Sequence, residues 1–138
     1  METPSEIAGI VEKALHDHTL REWELLYIHT NALLRMRMTV DRIHTSYEYK
    51  LAVRNVYANP RWLRSFSKAL RATNFVRTDG NMDVRYSFII RDNNSKDAVT
   101  VFMDFSNQLI LLNDTLYRAK GELTGWFKDI AQTVMKMA

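Results

Sequence analysis

Cysteine is absent from the 138-residue sequence, and glycine and proline are scarce, with four and two copies. Without cysteine the chain has no disulfide bonds, thiolate metal sites or cysteine nucleophiles. The glycines, Gly9, Gly80, Gly121 and Gly125, are never clustered, which excludes a P-loop and a dinucleotide-binding glycine motif. No apolar run approaches the ~18–20 residues that a membrane-spanning helix needs.

The rest of the composition is typical of a soluble globular protein. Hydrophobic residues make up 46% of the chain and charged residues 25%, which are ordinary values. No linker, repeat or low-complexity segment divides the chain, so we predict a single domain over residues 1–138. The first residues lack the basic start and the continuous apolar segment of a secretory signal. We therefore expect a cytoplasmic protein.

Apolar stripes at helical spacing predict a helix at each end of the chain. Thr3 can cap the first helix, Pro4 suits its first position and Glu6 completes a capping box, with the helix running to about residue 17. This cap leads us to expect that the chain begins where the protein begins. The last helix is predicted from about Lys120 to Met137, and Gly125 within it is expected to allow close packing against a strand.

Between residues 22 and 53 apolar side chains alternate with polar ones, which favours three strands with turns near Asn31 and Asp41. A helical alternative stays open for residues 43–57, because part of this segment also fits a helical stripe. The methionine and tyrosine positions of residues 36–49 suit either the core or a sheet shared by two copies, so a homodimer is possible.

A middle helix is predicted from the cap Asn59 through Pro60 to about residue 72. Three further strands follow it, and a tight hairpin at Ser106-Asn107 connects the last two. We therefore predict an α+β fold with an antiparallel sheet and three helices, in the order α-βββ-α-βββ-α. This order resembles that of small secretion-chaperone domains, which hold partner peptides on a sheet, and it suits a non-enzymatic binding module.

Residue patterns for catalysis or metal binding are missing. His16-Asp17-His18 is read as a solvated helix end, because residues two apart on a helix point in different directions. Asp92 and Asp97 lie in a polar loop that lacks the glycine and the glutamate of a calcium-binding loop. Asp104 is unusual because it follows apolar residues within a predicted strand. We predict no catalytic residue, no metal and no cofactor, and hence no enzyme.

The charge of the chain is unevenly distributed. The net charge is +3 overall, but residues 1–34 carry −4, residues 35–77 carry +8 and residues 78–138 carry −1. Within the basic middle, the segment 59–75 contains four cations and no acidic residue. The cations fall on one side of the predicted helix, where a solvated surface would usually include acidic residues as well. We call Arg61, Arg64, Lys68 and Arg71 the basic stripe, and Arg54 is expected to extend it.

Three interpretations of the basic stripe compete. It is a solvated surface balanced by acidic residues of the first helix and by Glu22 and Glu24, or it binds an acidic protein partner, or it binds the phosphates of RNA or DNA without sequence preference. A membrane-surface helix is disfavoured because the apolar side of the helix is needed for the core. We predict an adaptor, inhibitor or chaperone-like protein that binds an acidic partner. The predicted partner-binding residues are Arg54, Arg61, Arg64, Lys68 and Arg71.

Overall fold

The computed structural model describes residues 2–29, 37–104, 106 and 108–137. Four α-helices occur in these residues: α1 (Pro4–Asp17), α2 (Ile43–Ser46), α3 (Arg61–Arg71) and α4 (Glu122–Met137). A short 3-10 helix, Val56–Ala58, precedes α3. The strands are β1 (Leu20–Tyr27), β2 (Tyr49–Val53), β3 (Thr73–Arg77), β4 (Val84–Asp92), β5 (Asp97–Asp104), β6 (Leu109–Leu112) and β7 (Thr115–Gly121).

The strands form one sheet in the order β2-β1-β4-β5-β6-β7-β3, and every neighbouring pair is antiparallel. Successive residues of a strand point to opposite faces of the sheet. On β1, Trp23 and Leu25 belong to the main core, together with buried residues of α1, α3 and α4. Leu26 points the other way and packs in a smaller cluster with Met38 and with Ile43 of α2. Three helices therefore cover one face of the sheet, and the short α2 lies on the other.

The predicted class, α+β with an antiparallel sheet, is confirmed. The observed order of elements differs from the rough predicted order in two ways: α2 occupies part of a predicted strand, and β3 and β7 are additional strands. The similarity to secretion-chaperone domains depended on the predicted order, so the observed fold gives it no support.

The two terminal helices lie where the apolar stripes predict them. The amide of Glu6 donates to Oγ1 of Thr3 at 3.2 Å, and the amide of Thr3 donates to Oε1 of Glu6 at 3.3 Å, which completes the predicted capping box. The cap at the end of α1 is His18, whose backbone is left-handed with a φ of 55°. The buried residues of α4 are Leu123, Trp126, Phe127, Ile130, Ala131 and Val134.

The segment between β1 and β2 differs from the prediction of strands. Residues 43–46 form α2, and residues 37–40 are not strand, whereas residues 34–36 and the turn at Asn31 lie outside the described residues. A turn at residues 40–42 leads into α2, where the amide of Ile43 donates to the carbonyl of Thr39 at 3.2 Å. Among the positions predicted to belong either to the core or to a sheet shared by two copies, Met38 is buried in the core and Tyr47 is exposed. Residues 49–53 are strand, so the helical alternative for that part is wrong.

One of the two unpredicted strands, β7, follows β6 after a very short turn. Asn113 and Asp114 form this turn with φ values of 43° and 69°, and Leu112 pairs directly with Thr115. Positive φ at both central residues is the geometry of a type I′ hairpin, which asparagine and aspartate tolerate. The sheet then ends at β3, which pairs with β7.

Two glycines, one at the end of β7 and one within α4, have opposite surroundings. Gly121 has a φ of 150°, and an added Cβ would lie 2.6 Å from the carbonyl oxygen of Ala72, so only glycine fits where β7 meets the start of β3. A Cβ at Gly125 would meet no atom within 4 Å, so the predicted close packing of Gly125 is wrong. None of the helices in the described residues is long and apolar enough to cross a membrane.

Candidate binding cleft

The helix α3 carries the basic stripe as the sequence predicts. Its apolar side buries Leu63, Phe66 and Leu70 in the main core. With 3.6 residues per turn, the four cations lie within an arc of about 80° on the outer side. All four cations of the stripe are exposed: Arg61, Arg64, Lys68 and Arg71.

Arg71 is paired with an acidic residue of α1. Its Nε donates to Oε2 of Glu12 at 2.8 Å and its NH2 donates to Oε1 at 2.7 Å, a bidentate ion pair between the two helices. The buried hydroxyl of Ser67 donates to Oε2 of Glu12 at 2.5 Å. The hydrogen bonds from Arg71 and then from Ser67 lower the pKa of Glu12 to about 2. One of the four cations is therefore neutralised, as the interpretation of a solvated, balanced surface requires.

The other three cations of the stripe make no ion pair with a carboxylate in the described part of the chain. Glu22 and Glu24, which the sequence offered as balancing charges, lie on β1 and pair instead with Arg91 and Lys50 on the sheet. Arg54 is exposed in a bend after β2 and is not on α3. The structure therefore places Arg61, Arg64 and Lys68 on one side of α3, whereas Arg54 belongs to the bend after β2.

Two of these cations line a cleft of about 540 Å³ between α1 and α3. Arg64, Lys68 and the Glu12–Arg71 pair line its α3 side and one end. The apolar lining comes from Leu15, Tyr57 and Pro60. A concave apolar surface with a few charged groups is the usual form of a ligand-binding site.

Tyr57 is held rigidly in the wall of this cleft. Its hydroxyl donates to the carbonyl of Ala14 at 3.2 Å and accepts from the amide of Leu20 at 2.8 Å. These bonds fix the ring between the end of α1 and the start of β1. The ring of His18 stacks on Tyr57 with 4.2 Å between centroids and 1° between planes. Both residues line the cleft.

No family model, curated protein or solved structure matches the chain. The function must therefore be inferred from the residues of the cleft and of the rest of the surface, without analogy to another protein.

The other polar residues noted in the sequence have structural contacts. Asp104 is buried, and its Oδ1 accepts hydrogen bonds from Oγ of Ser106 at 2.8 Å and from the amide of Leu109 at 3.2 Å, which ties the end of β5 to the start of β6. Asp92 accepts hydrogen bonds from two amides of its own loop, those of residues 94 and 96. The side chain of His16 is 89% exposed. The described residues contain no group of three or more ligands that could hold a metal ion.

The sequence predicts the cations of the basic stripe but does not predict the cleft between α1 and α3. Leu15, Tyr57 and Ser67 belong to three segments that meet only when α1 packs against α3. Because such contacts between distant parts of a chain leave no local pattern, no signal in the sequence marks these residues. The sequence predicts a solvated helix end at His16 and His18, and the stacking of His18 on Tyr57 depends on the fold.

Proposed function

We propose that this chain is a non-enzymatic binding protein, an adaptor, inhibitor or chaperone-like protein, that binds an acidic segment of a partner protein between α1 and α3. One observation carries the proposal. Arg64 and Lys68 make no ion pair with a described carboxylate, and both line a cleft with an apolar lining. Cations left unneutralised on a concave surface attract a ligand of opposite charge and speed its encounter.

The surroundings of the stripe favour an acidic protein over a nucleic acid. Trp62, the tryptophan of α3, is half-buried and packs edge-to-face on Trp126 at 6.1 Å between centroids, so it is partly withdrawn from a base. Arg71 is already paired with Glu12, so the row of cations on α3 that are free to bind phosphates is shorter than the sequence suggested. Binding to nucleic acid without sequence preference depends on many cations that each release a counterion.

The test compares two polyanions of different chemistry. Binding of labelled polyglutamate and of labelled polyuridylate is measured by fluorescence anisotropy across a range of salt concentrations. The test variant carries Arg61→Gln, Arg64→Gln and Lys68→Gln. The control variant carries Lys120→Gln, Lys128→Gln and Lys136→Gln, three exposed cations that do not line the cleft. Both variants change the net charge from +3 to 0.

We expect polyglutamate to bind more tightly than polyuridylate, and we expect the test variant to lose about tenfold in affinity because three exposed charges are removed. The control variant should lose much less. Equal losses in the two variants would show that only net charge matters and would refute the proposed site. Tighter binding of polyuridylate, with a steep salt dependence that the test variant flattens, would instead support the nucleic-acid alternative.

A further inference from the structure

We infer that the cleft takes one aromatic side chain from the acidic partner segment, while Arg64 and Lys68 bind carboxylates on either side of that side chain. This inference rests on the proposed function and specifies its partner: an acidic stretch interrupted by a tryptophan or another aromatic residue. It follows from the kind of surface that the cleft presents and from the positions of its charges.

The first support is the apolar lining. Leu15, Tyr57 and Pro60 face a cleft of about 540 Å³, a size within the range of pockets that enclose small ligands. Carboxylates alone would gain nothing from this lining. A charged group is stabilised by water and is destabilised when apolar surface replaces that water. A purely acidic ligand would therefore use only the rim of the cleft. A large apolar side chain fills its interior and displaces water from it.

The second support is the preference of the cleft for an aromatic ring. His18 and Tyr57 both line the cleft. Because they stack on each other, each ring leaves only its outer face and its edges to a ligand. Aromatic pairs in stacked or edge-to-face geometry gain stabilisation beyond the area that they bury. Arg64 and Lys68 also line the cleft, and a cation beside an aromatic ring is attracted to the face of the ring. An aliphatic side chain of similar size would gain from burial but not from either of these contacts.

The third support is the spacing of the two cations. Arg64 and Lys68 are four residues apart on α3, so they lie on one side of the helix about one turn apart. Two carboxylates that flank a central side chain can each approach one of these cations. Three residues beyond Lys68 on α3, Arg71 forms a pair with Glu12 that is already internally neutralised. The charge of the site is therefore concentrated where the flanking acidic residues would lie.

The experiment uses four labelled peptides of twelve residues and the unmodified protein. Three are rich in glutamate and differ only in a central tryptophan, leucine or serine, and the fourth has the central tryptophan with lysine in place of each glutamate. We expect the acidic tryptophan peptide to bind at least about tenfold more tightly than the acidic serine peptide. It should bind about two- to tenfold more tightly than the acidic leucine peptide. The basic peptide should not bind.

A variant then locates the bound ring. His18→Asn removes the stacked ring but keeps a residue that accepts the left-handed backbone at this position. It should reduce the preference for tryptophan over serine about two- to tenfold. His44→Asn makes the same change at an exposed histidine on α2, and it should leave the preference unchanged. Circular dichroism verifies that both variants are folded.

The outcomes separate this inference from the proposed function. Equal binding of the three acidic peptides, weakened by Arg64→Gln, would overturn the aromatic anchor and leave the acidic partner in place. A tryptophan preference that His18→Asn does not change would place the ring outside the cleft and would also overturn the inference. If no acidic peptide binds even at low salt, the proposed function itself fails.

Discussion

Arg71 and Glu12 form a bidentate ion pair that joins α3 to α1 across 59 residues of sequence. This contact neutralises one cation of the basic stripe and closes one end of the cleft. The cations of the stripe therefore differ in their partners. Arg71 binds a carboxylate of the neighbouring helix, whereas Arg64 and Lys68 line the same cleft without an ion pair among the described residues.

The Glu12–Arg71 pair predicts a dependence of stability on pH. Hydrogen bonds from Arg71 and Ser67 lower the pKa of Glu12 from its ordinary 4.5 to about 2 in the folded protein. A carboxyl group with a lowered folded pKa contributes stability above its unfolded pKa and loses that contribution as the pH falls through the folded value. Wild-type protein should thus lose this contribution between about pH 4.5 and pH 2.

Glu12→Gln should remove this part of the pH dependence. At pH 7 the variant should unfold at a Tm at most about 4 °C lower, because exposed ion pairs stabilise proteins only weakly. The difference in Tm between the two proteins should shrink as the pH approaches 2. Thermal unfolding followed by circular dichroism at pH 2, 3, 4.5 and 7 checks this, and a Tm difference that stays constant over that range contradicts it.

Glu12→Gln should also increase binding to acidic ligands. The substitution leaves Arg71 without its carboxylate partner, so that all four cations of the stripe are unpaired. We expect polyglutamate to bind about two- to fivefold more tightly to this variant, the size expected for one exposed charge. Asp129→Asn removes one negative charge from the exposed side of α4 and serves as the control. An equal gain in both variants would attribute the effect to net charge alone.

Local signals in the sequence predicted some elements well, for physical reasons that are visible in the structure. α1 has a capping box that depends only on Thr3 and Glu6, three residues apart. α3 and α4 have apolar stripes that match their buried sides. In each case the interactions that define the element lie within a few residues of one another, so the pattern that marks the element also stabilises it.

Elements that depend on distant contacts were missed. β3 has only five residues, and its partner β7 begins more than 35 residues later along the chain. The segment before α2 alternates like a strand, but both backbone groups of Met38 bond to the distant Asp83 and Val84. The cleft was missed for the same reason, because the contact of α1 with α3 assembles it. Tertiary contacts of this kind override local preference.

The two glycines near the start of α4 should respond oppositely to substitution by alanine. Gly125 lies within the exposed side of the helix with open space around it, so Gly125→Ala should stabilise the protein by about 1 kcal/mol through helix propensity. Gly121 has a positive φ and no room for a Cβ, so Gly121→Ala should destabilise it by at least about 1–3 kcal/mol. Urea unfolding measures both changes, and destabilisation by Gly125→Ala would indicate a contact that the fold does not show.

Asp83 fastens the segment that precedes α2 to the sheet. Its Oδ1 accepts a hydrogen bond from the amide of Met38 at 2.8 Å, and the amide of Val84 donates to the carbonyl of Met38 at 2.8 Å. The other carboxylate oxygen accepts from NH2 of the buried Arg85 at 3.2 Å. Arg85 in turn donates to the carbonyl of His29 at 3.0 Å. One carboxylate therefore links a segment between β1 and β2 to a buried cation on β4.

Asp83→Ala should destabilise the protein by about 2–4 kcal/mol, because it removes the carboxylate partner of a buried guanidinium and a hydrogen bond of Met38. Asp83→Asn should have a smaller effect, since an amide oxygen can still accept the bond from Met38. Asp79→Ala removes an exposed aspartate from the connection between β3 and β4 and should change stability by less than about 0.5 kcal/mol. Urea unfolding gives the three values. Hydrogen exchange at the amide of Met38 should accelerate in Asp83→Ala, and unchanged exchange there would mean that other contacts hold the segment.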